Sequence, residues 1–127
     1  MSKRRLFAGL MIFAIFFVCQ CGYEKSAPNE LLGVWKTSAP QYADRFIKIE
    51  KDNITFGTGE KNFEIYSIKK IYIKKVPKES NILYTIHYKN REGVWYKVAF
   101  YYSPVNGGLI TLKNQRQIVW EKEQSDR

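Results

Sequence analysis

The side chains with reactive chemistry in this sequence are few: two cysteines one residue apart, Cys19 and Cys21, and a single histidine, His87. A thiolate is a nucleophile and a soft metal ligand. Residues separated by one position point to opposite sides of a strand, so a disulfide between these two is not expected. A C-x-C pair with no neighbouring His or acid also lacks the ligands that zinc requires. His87 falls on the polar parity of its segment with Thr85 and Lys89, which is a solvent-facing position rather than that of a general base. Asp44, Asp52, Glu60, Glu79 and Glu92 map to strand ends or turns, without the fixed geometry that paired-carboxylate chemistry needs. There is no G-x-S-x-G elbow, and Gly57-Thr58-Gly59 opens no helix that could hold a phosphate. The expectation is a protein without catalysis, metal or cofactor.

Modification remains as a use for the cysteines, and the residues ahead of them favour it. Residues 1–22 read MSKRRLFAGLMIFAIFFVCQCG. Lys3, Arg4 and Arg5 precede an apolar run over 6–18, the n-region and h-region pattern of an export signal. A spanning helix needs about 20 apolar residues, so the run is short for one. The uncharged stretch continues to Tyr23, which leaves a retained anchor as the alternative. A signal peptide is expected over 1–20.

The junction resembles the lipobox of bacterial lipoproteins, where cleavage precedes a cysteine and an aliphatic residue stands three positions before it. Val18, Cys19, Gln20 and Cys21 give the better register; taking Cys19 instead puts Phe16, Phe17 and Val18 ahead of it. The resemblance implies a diacylglyceryl group on Cys21 and further acylation of its new amino group. Gly22 stands where an Asp would hold such a protein in the inner membrane, so the implied location is the outer membrane, facing the periplasm. One acyl chain gives marginal, reversible membrane binding, whereas two or three hold a small domain stably. Later cysteines are absent, which suits an exported domain stabilised by its core. Residues 21–30 are polar after Tyr23, carry Pro28 and show no hydrophobic period, so they read as a lipid-anchored tether.

From residue 31 to 122 the pattern alternates with period two between turn residues, and nothing helical of useful length appears. Strands are expected at 32–36, 45–50, 54–56, 63–76, 81–89, 94–102, 109–113 and 117–122, with a frayed tail over 123–127. In 63–76 Phe63 and Ile65 share a face, and Ile71 and Ile73 reach the same parity only across the polar Ser67 and Lys69, which predicts a bulge or turn near 67–70. The clearest strand places Ile82, Tyr84, Ile86 and Tyr88 on one face. The next places Val94, Tyr96, Val98, Phe100 and Tyr102 on one face. About eight sequential strands in one open sheet would leave an apolar face bare. Closure removes that problem, so the fold class is all-β, a small up-and-down antiparallel barrel.

Gly33-Val34-Trp35 resembles the G-x-W motif on the first strand of lipocalins and smaller lipocalin-like bacterial proteins. The resemblance implies that Trp35 closes the barrel base, that Gly33 permits close backbone approach, and that Arg116 or Lys122 from the last strand packs over the indole. A cation over an indole face gains a cation–π attraction.

The chain carries 21 basic and 12 acidic residues, a net charge of +9. Lys69, Lys70, Lys74 and Lys75 cluster in one strand region and would reach anionic headgroups if a lipid brought them close. Trp95 and Tyr101 lie on outward parity and form the expected partner surface. An aromatic, basic sheet also suits nucleic acid, but export argues against that partner. The expected function is a lipid-anchored cell-envelope protein whose barrel serves partner binding or a structural role. A lipocalin-type carrier of a small apolar ligand is the alternative, and it would require a cavity.

Overall fold

Alternating apolar and polar residues can bury one face of a strand only if the sheet packs on itself, and this chain does so by closing. The computed structural model describes residues 21–59, 61–76 and 81–124. The expected signal segment at 1–20, the turn at 77–80 and residues 125–127 lie outside them. The strands are β1 Cys21–Glu24, β2 Gly33–Thr37, β3 Phe46–Ile49, β4 Asn53–Gly59, β5 Asn62–Val76, β6 Asn81–Lys89, β7 Trp95–Ser103, β8 Leu109–Leu112 and β9 Gln115–Lys122. From β2 to β9 each strand pairs antiparallel with the next, and β9 pairs with β2. The result is the expected eight-stranded up-and-down barrel, with β1 added outside it.

Inward residues meet across the ladders: Ile49 with Ile54, Ile47 with Phe56, Ile86 with Val98, and Tyr84 with Phe100. Trp35, Tyr84, Phe100, Ile71, Ile86 and Ile110 are fully buried, so the barrel interior is a packed core. Each such side chain contributes roughly 1.5–3 kcal/mol on burial.

β5 contains the expected bulge, and the inward parity changes across it, from Ile68 to Ile71. The ladder with β6 shifts register between Ile68 and Lys70, and the strand continues as one bent element of 15 residues. The extra residue, Lys69, lets both Ile68 and Ile71 face the core, at 5% and 0% exposure.

The tether expected at 21–30 is not one. β1 pairs with β5, Cys21 opposite Lys74 and Tyr23 opposite Tyr72. The Ala27 N–H donates to the Lys51 carbonyl at 2.9 Å, and Leu31 is fully buried. The reason lies in strand lengths. β4 starts at Asn53, opposite Ser67, so the edge of β5 beyond Ser67 has no β4 beside it. β1 covers that edge, which would otherwise expose unpaired amides. At the other terminus, the Glu123 N–H donates to the Val34 carbonyl at 2.7 Å, so pairing outlasts the expected strand end. Val94 and Tyr96, expected inward, are 45% and 42% exposed. They stand at the barrel rim, above the point where β8 stops opposite Phe100.

Candidate functional site

The barrel floor is built from the residues around Trp35. Its indole Nε1–H donates to the Leu31 carbonyl at 3.0 Å, and the Tyr102 ring meets it edge-on at 6.3 Å. The Lys122 ammonium lies 5.2 Å from the indole centroid and donates to the Glu30 carbonyl at 2.8 Å. Gly33 has φ +139°, and a Cβ there would stand 3.2 Å from Lys122 Cγ. Glycine therefore lets the lysine stem cross the strand. Burial lowers the Lys122 pKa, and Glu30 partly opposes that. The Tyr84 hydroxyl donates to the Glu30 carboxylate. Burial first, and then this bond, hold its phenol well above the usual range.

Arg116 does not share the floor. Its guanidinium sits 4.3 Å from the Tyr101 ring centroid. Arg116 and Lys122 occupy opposite ends of β9, about 20 Å apart at the rise of a strand, so only one can reach Trp35.

The other end is closed by rings. Phe56, Tyr66 and Tyr88 pack with centroids 4.9–5.9 Å apart, and Tyr96 stacks on Tyr88 at 5.7 Å. The Tyr66 hydroxyl donates to Glu64 at 2.8 Å, which pushes its phenol up to about 12. A hollow of ≈ 550 Å³ lies between Phe63–Ser67 of β5 and Lys89–Glu92 of the β6–β7 turn; neither Trp35 nor Tyr84 nor Phe100 lines it.

The outer wall carries the most uneven chemistry. Register places Tyr23 of β1, Lys70, Tyr72 and Lys74 of β5, His87 and Lys89 of β6, and Trp95, Lys97 and Tyr101 of β7 on one outward surface. Among the described residues, no outward position of these four strand segments below the bulge is Asp or Glu. The cations lie against rings. Lys70 is 5.0 Å from the Tyr23 centroid and 5.8 Å from that of Tyr72, and Lys89 is 4.6 Å from Trp95. His87 packs edge-on against Tyr72 at 5.1 Å. Its pKa is lowered, by burial first and then by Lys97 and Lys70. The opposite wall mixes signs, with Lys36 paired to Glu123 at 2.9 Å and Lys48 beside Glu50 at 4.0 Å.

This wall brings together residues that the sequence reading had assigned to separate roles. Lys70 and Lys74 join Trp95 and Tyr101 on it. Lys75 does not; it pairs with Ile82 and so takes the opposite parity to Lys74. Lys69 is the exposed bulge residue. Trp95 and Tyr101 share the wall, about 20 Å apart along β7. Sequence reasoning missed Tyr23, Tyr72, Lys89 and Lys97. The absence of outward acids in β6 and β7 was readable from parity, but the addition of β1 was not.

No protein-family model, curated protein or solved structure matches the chain.

Proposed function

We propose that this chain is a non-catalytic, lipid-anchored cell-envelope protein whose barrel acts through its outer surface, as a partner-binding or structural module. The observation that carries this reading is the filled interior. Trp35 and Leu31 plug one end, aromatic rings close the other, and Tyr84, Phe100 and Ile86 fill the space between. An eight-stranded barrel either holds one small ligand or fills with side chains, and this one is filled. That supports a surface role over carriage of an apolar ligand. His87 has lysines beside it rather than a carboxylate, which supports a non-catalytic reading. The lipobox-like residues ahead of Cys21 support the anchor, with the outer membrane facing the periplasm as the location.

The test is mass spectrometry of the mature N-terminus together with membrane fractionation. The expected product begins at Cys21 with acyl mass on it, and Cys21→Ser moves the protein out of the membrane fraction. A mature chain that retains residues 1–20 without acyl mass sinks the proposal.

A further inference from the structure

We infer that the outer wall of β1, β5, β6 and β7 is a docking face for the anionic headgroup layer of a phospholipid bilayer. Lys70, Lys74, Lys89 and Lys97 would meet the phosphates, and the rings of Tyr23, Tyr72 and Trp95 would sit at headgroup level. The inference rests on the lipid-anchored reading for what brings the wall to a membrane.

Three features of the molecule converge on it. The first is charge. The wall carries lysines with no outward acid among its described residues, whereas the opposite wall pairs its charges internally. Each lysine near an anionic leaflet raises partition roughly fivefold, so four together raise it roughly 10²–10³-fold. The second is the ring chemistry. Tyr23, Tyr72 and Trp95 are 56%, 44% and 56% exposed, and lysine ammonium groups lie over their faces. Tyr and Trp belong at a membrane interface because an apolar ring and a polar edge each find their solvent there. Lysine stems lying along such rings can pass the charge outward to phosphates.

The third feature is where the anchor residue sits. Cys21 is paired with Lys74, in register, on this wall. A flexible tether over 21–30 would let the barrel drift about 17 Å from its anchor, beyond a Debye length at physiological salt. With β1 zipped onto β5, the backbone at Cys21 is fixed beside Lys74, so the anchor holds that end of the wall at the headgroups. Lys70, Lys97 and Lys89, about 13–20 Å farther along the strands, meet them when the barrel lies down on this face. Single-stranded nucleic acid is the other polyanion that a basic, aromatic wall suits. The position of Cys21 favours the lipid surface.

Trp95 supplies the measurement, because Trp35 and Trp120 are buried at 0% and 4% exposure and acrylamide therefore reaches Trp95 first. The full chain, as isolated from its membrane, is reconstituted on phosphatidylcholine vesicles with and without phosphatidylglycerol. The acrylamide quenching slope is expected to fall at least about twofold on the anionic vesicles. K70E/K74E/K97E should abolish that protection, and K70R/K74R/K97R should keep it, while all three proteins stay vesicle-bound through the anchor. Equal slopes on both vesicle types with the protein retained overturn the docking face and leave the anchor standing. Protection of Trp95 by oligouridylate at concentrations where anionic vesicles give none overturns it in favour of nucleic acid. If the protein is not retained on neutral vesicles, the anchor reading fails. Co-sedimentation of the same protein with anionic vesicles then reads the wall alone, and the absence of charge-dependent binding overturns the inference.

Discussion

Replacing Gly108 by alanine tests whether the barrel floor is closed against Trp35 in the way described. Gly108 follows the 3-10 turn Val105–Gly107 and has φ +119°, a conformation that L side chains rarely adopt. Holding a non-glycine residue there costs about 1–3 kcal/mol. The new Cβ would also stand 3.2 Å from Trp35 Cη2 and 3.4 Å from Tyr102 Cε1. Trp35 cannot swing away, because it is fully buried and held by the Leu31 carbonyl and the Lys122 ammonium. Overpacking of that kind costs about 1–3 kcal/mol. The two effects sum to about 2–6 kcal/mol, a large part of the 5–15 kcal/mol that holds a small domain folded. Gly93→Ala is the control: φ is +84° there, and nothing lies within 4 Å of the added carbon. It should lose only the backbone part. Urea denaturation followed by tryptophan fluorescence gives both values, with the midpoint shift of Gly108→Ala clearly the larger at equal m-value. A Gly108→Ala protein no less stable than Gly93→Ala would refute the packed floor.

Two further outcomes follow from the same geometry. Lys122→Met keeps the stem but removes the ammonium from the Trp35 face and the Glu30 carbonyl, and should destabilise by about 1–2 kcal/mol in urea titrations. Arg116→Met removes a cation from the Tyr101 ring, outside the floor, and should destabilise less than Lys122→Met; the reverse order would return the floor cation to Arg116. His87 has a folded pKa below its unfolded value of 6.5. Between those two values the unfolded chain binds a proton that the native chain does not. Stability therefore rises with pH through that window, is flat above it, and carries the full penalty below the folded pKa. His87→Gln should flatten the slope of unfolding free energy against pH just below 6.5. A slope unchanged by that substitution would show that neither burial nor Lys97 and Lys70 lower the imidazole pKa.

Much of the barrel was legible because period-two alternation reports burial directly. Ile82 through Tyr88 and Val98 through Tyr102 read correctly, since each strand there has one wet face and one dry one. Even the bulge announced itself, as polar Ser67 and Lys69 interrupting the parity shared by Ile65 and Ile71, although Ile65 itself is exposed and Ile68 faces inward before the bulge. The segment 21–30 was misread for a related reason. Its polar composition matches a linker, and Cys21–Glu24 is a strand only because the edge of β5 beyond β4 needs a partner. The floor cation was narrowed to Arg116 or Lys122 by residue type, but only the length of β9 decides which one reaches the indole. The basic wall was half visible: Lys70 and Lys74 drew notice as a cluster, whereas Lys89 and Lys97 look ordinary until neighbouring strands bring them alongside.

Local pattern alone thus determined the class of the fold, the number of barrel strands and the inward face in the middle of the strands, because those properties depend on the alternation of apolar residues; at the rim, Val94 and Tyr96 escape it. What tertiary structure decided is which outward residues share a surface. Closure sets the neighbours of each strand, and pairing between distant segments places Cys21 beside Lys74 and empties one wall of acids. Those juxtapositions arise from hydrogen-bond register between residues some fifty positions apart, which no single stretch of the chain encodes.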